Sequence, residues 1–153
     1  MDEDVLSTPG HLISLAARGF VRLSESRLKP LGFGVGQLPV LVALQDGKAS
    51  TQRDLARFAR TEQPPMAQML TRMERDGLIA RTRDPADGRS SRIALTKAAQ
   101  EAMPEAIAAL FQGNNEALAG FTDAEAAQLV DLLRRLIENL DRIASAEVPL
   151  RDR

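Results

Sequence analysis

The sequence contains no cysteine, no tryptophan and no tyrosine, and its only histidine is His11. The lack of cysteine excludes disulfides, thiolate metal sites and thiol redox switches. One histidine is too few for a zinc site built on histidines, and it leaves little basis for a Ser-His-Asp triad. The sequence also lacks a glycine-rich phosphate loop and paired carboxylates on a rigid frame. We therefore expect no metal, no cofactor and no enzymatic activity; an enzyme would have to rely on carboxylates and lysine alone.

Long apolar runs are missing as well, and residues 2–4 are acidic. A membrane-spanning helix needs about 20 predominantly apolar residues, and a signal peptide begins with positive charge. The sequence therefore predicts a cytoplasmic chain with no membrane partner. Aromatic residues make up only 3% of the chain, against 44% hydrophobic residues in all, which is typical of a helical core rather than a β-sandwich.

Charge is distributed unevenly along the chain, although the net charge is only −1. Residues 48–97 hold eleven Lys and Arg against six Asp and Glu, whereas residues 98–153 hold five against ten. The middle third is therefore basic and the last third acidic. Such an asymmetry indicates a polyanion-binding part on a neutral or acidic body.

Hydrophobic periodicity predicts a mainly α fold of the winged-helix type, with a three-helix head, a two-stranded β-wing and long terminal helices. Helices are expected over 10–28, 37–44, 51–59 and 64–76. Strands are expected over 78–83 and 91–95, on either side of a hairpin tip at 84–90. Two long helices follow Thr96 and Thr122.

Residues near the helix ends support these bounds. Thr51 with Asp54, and Thr122 with Glu125, fit N-terminal capping patterns. Pro104 falls inside the fifth helix, where a proline is expected to cause a kink.

Two finer expectations concern the third and fourth helices. Leu55 and Phe58 are predicted to face inward from the third helix. Because a proline disfavours helical geometry in the residue before it, Gln63 is predicted to lie outside a helix that begins near Pro64. Gly77 is expected to close that helix.

The helix at 64–76 has two chemically different sides. On a helical wheel Met66, Met69, Leu70 and Met73 fall together and are predicted to face inward. The opposite side is small, polar and basic, with no acid at its centre. It consists of Pro64, Ala67, Gln68, Thr71, Arg72 and Arg75. Since Gln can pair with adenine, and Arg with guanine or a phosphate, this side fits a DNA major groove; the alternative is an ordinary solvated face.

The hairpin supplies a second basic surface, because Arg81, Arg83, Arg89 and Arg92 cluster in it. We expect Arg89 at or near the tip, where a protruding arginine suits the strong negative potential of a narrow minor groove. Asp87 is expected to orient it through a salt bridge. The alternative is a surface hairpin with incidental charge.

Several stretches of the sequence resemble the reading head of the MarR family of bacterial regulators. They are Asp54-Leu-Ala-Arg57, Gln63-Pro-Pro-Met-Ala67, Leu70-Thr-Arg-Met-Glu-Arg-Asp-Gly-Leu-Ile-Ala-Arg81, and Asp84-Pro-Ala-Asp87-Gly-Arg89-Ser90 followed by Leu95-Thr96. The resemblance is strongest over 37–97, and the order of helices extends it over 10–145. One departure from the family pattern is Ala99, at a position three residues after the Leu-Thr pair where a glycine is common in the family. This departure affects only the expected start of the fifth helix.

This resemblance implies an obligate homodimer that regulates transcription, most commonly as a repressor, on double-stranded DNA. Each fourth helix would enter a major groove and each wing a minor groove. We predict that the recognition helix contacts DNA through Gln63, Pro64, Ala67, Gln68, Thr71, Arg72 and Arg75. The wing is predicted to contact it through Arg83, Asp87, Gly88, Arg89, Ser90 and Arg92. The DNA backbone is predicted to contact Thr51, Gln52 and Arg60.

The terminal helices are expected to hold two heads together. An apolar seam repeats at spacings of four and three residues along the last helix. The predicted dimerisation residues are Leu129, Leu133, Leu136, Leu140 and Ile143, with Leu12 and Leu15 from the first helix. The alternative is that the seam packs on the first helix of the same chain. We favour dimerisation, because a symmetric operator needs two heads at a fixed spacing. The chain then divides into dimerisation helices at 1–34 and 98–153 and a DNA-binding head at 35–97.

The resemblance further implies a small-molecule effector, often aromatic or phenolic, in a cleft between head and dimer base. The candidate lining residues are His11, Arg18 and Phe20, and His11 is otherwise expected at the interface. A winged-helix protein adaptor without DNA binding is the remaining alternative, and the basic stretch at 48–97 argues against it.

Overall fold

The computed structural model describes residues 4–86, 88–89 and 91–147. Its helices are α1 (Pro9–Leu28), α2 (Leu38–Gln45), α3 (Gln52–Phe58), α4 (Gln63–Arg75), α5 (Lys97–Ala117) and α6 (Asp123–Glu147), and its strands are β1 (Ile79–Arg83) and β2 (Ser91–Leu95). Short 3-10 helices lie at Val5–Ser7, Lys29–Leu31 and Val35–Gln37. The predicted winged-helix fold is confirmed, and each bound predicted for a helix or strand lies within one residue of the observed one.

The predicted caps form. Thr51 Oγ1 accepts a hydrogen bond from the Asp54 N–H at 3.2 Å. Thr122 and Glu125 cap each other reciprocally: the Thr122 N–H donates to Glu125 Oε2 at 2.8 Å, and the Glu125 N–H donates to Thr122 Oγ1 at 3.1 Å. Each contact satisfies an N–H group that a helix start leaves without an intrahelical acceptor. Helix α5 continues through Pro104.

The wing is an antiparallel pair in which Ile79 lies opposite Leu95 and Arg83 opposite Ser91. The edge of β2 that faces away from β1 is attached to the head, because the Ile93 N–H donates to the Ser50 carbonyl at 2.7 Å. The wing is therefore tied to the segment that leads into α3, as well as to the end of α4 from which β1 emerges.

The hydrophobic core combines the end of α1, helices α2, α3 and α4, both strands and the first half of α5. Its largest fully buried side chains are Leu28, Val40, Leu41, Leu55, Met66, Leu70, Met73 and Met103. Ala99, Met103 and Ala106 of α5 belong to this core, so the start of α5 packs with the head. Burying a leucine or methionine side chain stabilises a fold by about 1.5–3 kcal/mol, which makes this cluster the main support of α4 and the wing.

Two of the finer predictions are wrong. Phe58 does not face inward: it is the last residue of α3 and is 40% exposed. Its ring lies 5.9 Å from Lys48 Nζ, a distance at which a cation–π contact stabilises an exposed aromatic residue.

Gln63 is not outside α4 but is its first residue. The Met66 N–H donates to the Glu62 carbonyl at 3.2 Å, which closes a helical turn around it. Pro64 and Pro65 occupy first-turn positions where an N–H has no intrahelical acceptor, so neither proline prevents this earlier start.

The chain divides into two compact units, residues 1–113 and 114–153. The first contains the core described above. The second contains α6, in which no residue is buried. Within the described ranges, no helix has the length and apolar character required to cross a membrane.

Candidate nucleic-acid interface

Helix α4 presents the outward side that its sequence predicts. Met66, Leu70 and Met73 are completely buried, which fixes the rotation of the helix about its axis. Pro64, Gln68, Thr71, Arg72 and Arg75 are consequently exposed, and Ala67 is half-buried. The Thr71 hydroxyl donates to the Ala67 carbonyl at 2.9 Å. Arg75 Nε lies 3.4 Å from Asp76 Oδ1.

The turn that joins α3 to α4 contains a left-handed residue. Arg60 has φ 54°, and among the described residues it is the only one other than glycine with positive φ. Its position follows from the end of α3, where the Thr61 N–H donates to the Ala56 carbonyl at 3.0 Å. This hydrogen bond belongs to a helix-ending arrangement that usually employs glycine at the left-handed residue.

The wing is organised by Asp84, which the sequence argument did not single out. Its Oδ1 accepts from the Ala86 N–H at 2.9 Å, and its Oδ2 lies 3.6 Å from Arg92 Nε. An aspartate that binds the backbone two residues ahead is a known turn former, so the Asp-Pro pair at the start of the tip was the available signal. Arg83, Gly88 and Arg89 are exposed. The predicted partner Asp87, and Ser90, lie outside the described residues.

Arg81 was predicted only as part of the basic cluster, but it connects the wing with α4. Its Nε lies 3.7 Å from Glu74 Oε2, and its side chain is 29% exposed. The Nε atom is inaccessible to solvent and has no hydrogen-bond partner among the residues that the structure describes. The guanidinium is therefore held at the junction of α4 and β1 rather than extended into solvent.

A cleft of about 330 Å³ lies between α3, α4 and the wing. It brings together four predicted DNA-contacting residues, Thr51, Gln52, Gln63 and Arg89. The remaining lining residues are Arg53, Arg81, Ser91 and Ile93. Arg53 had no sequence signal beyond its charge, because its approach to the wing depends on the folded chain.

The residues predicted to line an effector cleft, His11, Arg18 and Phe20, all lie on α1. At 100° per residue, His11 and Arg18 fall on one face of this helix and Phe20 on the opposite face, and their role in an effector cleft stays a prediction. A cleft of about 380 Å³ lies elsewhere, behind α4. It is lined by Val21, Glu25, Gly34, Val35, Gly36, Gln37, Met69 and Arg72.

The predicted dimerisation side chains are accessible in the single chain. Leu12, Leu15, Leu129, Leu140 and Ile143 are exposed, while Leu133 and Leu136 are half-buried. Exposed apolar surface of this extent on two separate helices is typical of a protein–protein contact. Their assignment to a dimer stays a prediction.

A family model described as "MarR family" matches residues 35–91. The chain is 27% identical over 128 residues to an uncharacterised HTH-type transcriptional regulator, YwoH, of Bacillus subtilis, an alignment that covers 84% of this chain and 93% of that relative. The fold resembles that of the PcaV transcriptional regulator from Streptomyces coelicolor in complex with its natural ligand, at 26% identity and a TM-score of 0.78, covering 90% of this chain and 97% of that one.

The fold also resembles that of a MarR variant from E. coli complexed with operator DNA, at 23% identity and a TM-score of 0.79. This similarity covers 88% of the chain and 99% of that structure, and it concerns the fold alone. The matched residues 35–91 include α2, α3, α4 and most of the wing, which are the elements that form the cleft and both exposed basic surfaces. Residues 35–91 therefore match the MarR family, and the relative that is similar over most of the chain is an HTH-type transcriptional regulator.

Proposed function

We propose that this protein is a homodimeric repressor that binds a pseudo-palindromic DNA operator and leaves it when a small-molecule effector binds. The observation that carries the proposal is the exposure of two basic surfaces, the outward side of α4 and the arginines of the wing, on either side of one cleft. A polar helix beside an arginine-bearing hairpin matches a major groove next to a minor groove.

Gln68 at the centre of the outward side of α4 reads a base edge. A glutamine side chain offers one donor and one acceptor, the pattern that pairs bidentately with adenine. Thr71 and the small Ala67 leave room around it, and Arg72 and Arg75 add positive charge. The buried methionines and Leu70 hold α4 at a fixed rotation, which base reading requires.

The wing contacts the neighbouring minor groove through Arg89. An arginine there is attracted by negative potential and by groove width more than by base identity. Arg83 and Arg92 add charge at the sides of the hairpin, and the link between Asp84 and Arg92 holds its shape.

Two heads are joined through α1 and α6. The apolar side chains that α6 leaves exposed, including Leu140 and Ile143, require a cover in water, and a second copy supplies a symmetric one. A dimer presents its two heads one helical turn apart, on the same face of the DNA. Repression then follows from occupying a promoter.

The effector binds in the cleft behind α4. Val21, Val35 and Met69 provide apolar surface, and Glu25, Gln37 and Arg72 provide polar groups, a combination that suits an aromatic or phenolic molecule. Because Met69 and Arg72 belong to α4, an occupant there acts directly on the helix that reads bases. The PcaV structure contains the natural ligand of that regulator, which supports the binding of a ligand by this chain.

A binding titration with a duplex of random sequence tests the proposal. Binding to phosphates releases counterions, so affinity should fall steeply as salt rises. In vitro selection from a random pool should then recover an inverted repeat, and sedimentation should give the mass of a dimer. An absence of DNA binding, or an affinity independent of salt, would overturn the proposal in favour of a protein adaptor.

A further inference from the structure

The sulfur atoms of this chain all belong to methionines, because the sequence has no cysteine. Three of the five methionines, Met66, Met73 and Met103, are completely buried, and Met1 lies outside the described residues. Met69 on α4 is half-buried and packs against the edge of the core. Among the methionines that the structure describes, Met69 is therefore the only one that solvent reaches.

Met69 lines the cleft of about 380 Å³ behind α4, so a small molecule in that cleft meets its side chain. Its Cε lies 3.6 Å from the position that a Cβ at Gly36 would take. Val21 and Val35 supply apolar lining in the same cleft. A thioether suits such surroundings because it is apolar and flexible. A polar group at the same place would not.

Arg72 follows Met69 by three residues on α4 and lines the same cleft. Residues at this spacing are neighbours on the surface of a helix. Arg72 is exposed and is one of the residues expected to contact DNA. A thioether is only a weak hydrogen-bond acceptor, whereas the oxygen of a sulfoxide is a strong one. Oxidation of Met69 would therefore place an acceptor next to a guanidinium that the DNA also requires.

We propose that Met69 is a reversible oxidation site, through which a hypohalous acid such as hypochlorous acid releases the protein from DNA. The sulfur loses two electrons and gains one oxygen, while the chlorine is reduced to chloride and a proton is released. The thioether and HOCl thus give the sulfoxide and HCl. The polar sulfoxide no longer fits against the apolar lining, and its oxygen competes with DNA for Arg72. The inference rests on the DNA-binding function proposed above and adds an oxidant as a second signal at the effector cleft.

Peptide mass mapping of the full chain tests the chemistry. After treatment with less than one equivalent of HOCl, the peptide that contains Met69 should gain an oxygen before those that contain Met66, Met73 and Met103. In concentrated urea this order should disappear, because unfolding exposes every methionine. If Met69 stays unmodified while the other methionines gain oxygen, the proposal is wrong.

DNA affinity before and after the same treatment tests the consequence, in the chain without substitutions and in two variants. Met69→Leu removes the sulfur and keeps a side chain of similar volume, and Met103→Leu makes the same change at a buried site. The readout is the ratio of the two affinities for each protein, so an effect of the substitution itself cancels. Treatment should weaken binding by about tenfold in the chain without substitutions and in Met103→Leu, and by less than about twofold in Met69→Leu.

Reversal identifies the product as a sulfoxide. Methionine sulfoxide reductases A and B each reduce one sulfoxide epimer, so both together with dithiothreitol should restore the affinity, whereas dithiothreitol alone should not. An equal loss of affinity in Met69→Leu, or a loss that the reductases do not reverse, would overturn the inference and leave the proposed function intact. An absence of DNA binding before any oxidant is added would remove the proposed function and this inference with it.

Discussion

Arg60 occupies at the end of α3 the same position that Gly77 occupies at the end of α4. In both places the residue has positive φ, 54° for Arg60 and 77° for Gly77. The following residue closes the helix in each case: Thr61 N–H donates to Ala56 O at 3.0 Å, and Leu78 N–H donates to Met73 O at 2.9 Å. The end of α4 uses glycine, the residue best suited to this conformation, whereas the end of α3 uses an arginine in the turn before α4.

Replacing Arg60 by glycine should therefore stabilise the fold and weaken DNA binding. The left-handed conformation costs a residue with a side chain about 1–2 kcal/mol, and glycine loses part of that gain through its larger backbone entropy. We expect the free energy of unfolding to rise by roughly 0.5–1 kcal/mol in urea titration. The salt slope of DNA binding should fall in the same variant.

Gly77→Ala is the matched control for this prediction. It places a side chain in the same left-handed position of the same motif and should lower the free energy of unfolding by about 1 kcal/mol. Destabilisation by Arg60→Gly would show that the interactions of the Arg60 side chain outweigh its backbone strain.

Gln68→Ala and Arg89→Ala should have different effects on DNA binding. Loss of Gln68 should relax the preference at one base position per half-site, at a cost of about 1–3 kcal/mol for the matched base. Loss of Arg89 should weaken binding broadly, because its contribution comes from charge and groove shape. Selection followed by affinity measurement on single-base variants distinguishes the two. If both variants lose the same affinity on every sequence, α4 does not read bases.

Two substitutions separate the two interactions of Asp84, the turn hydrogen bond and the ion pair with Arg92. Asp84→Asn keeps an oxygen for the Ala86 N–H but loses the ion pair with Arg92; because Arg92 is 61% exposed, the cost should be at most about 1 kcal/mol. Asp84→Ala also loses the turn hydrogen bond, for about 0.5–1.5 kcal/mol more. Hydrogen exchange of the wing amides checks this. Indistinguishable exchange in the two variants would mean that the turn hydrogen bond contributes nothing.

Leu140→Glu should convert the proposed dimer into monomers without unfolding the chain. Leu140 is 54% exposed in the single chain, so a charge there costs little until a second copy covers it, when an unpaired charge becomes expensive. Sedimentation equilibrium gives the mass, and circular dichroism the helix content. Arg135→Glu introduces the same residue on another side of α6 and should remain dimeric. A dimeric Leu140→Glu variant would contradict the proposed seam.

Gly36→Val should block the effector cleft behind α4. A Cβ at Gly36 would lie 3.6 Å from Met69 Cε, an ordinary contact, so the larger valine reaches into the cleft space while the backbone can accommodate it. We expect the DNA affinity of Gly36→Val to be close to that of the unmodified chain. A phenolic effector that releases the unmodified chain from DNA should not release the variant. Normal release in Gly36→Val would place the effector elsewhere.

Much of the fold follows from local signals. The capping threonines, Gly77 and the 3.6-residue periodicity gave the helices because each acts within a few residues. The two errors also have local causes. At Gln63 the preference of a residue before proline was outweighed by the turn closed between Met66 and Glu62, and at Phe58 apolar character was mistaken for burial although α3 ends there.

The sequence by itself determined the order of elements, the inward side of α4 and the uneven charge, because periodicity and composition encode all three. Only the tertiary structure decided that Arg53, Arg81 and Arg89 line one cleft and that Asp84 and Glu74 hold the wing arginines. These residues come from separate segments, and their proximity depends on how the core orients α3, α4 and the hairpin, which no spacing along the chain specifies.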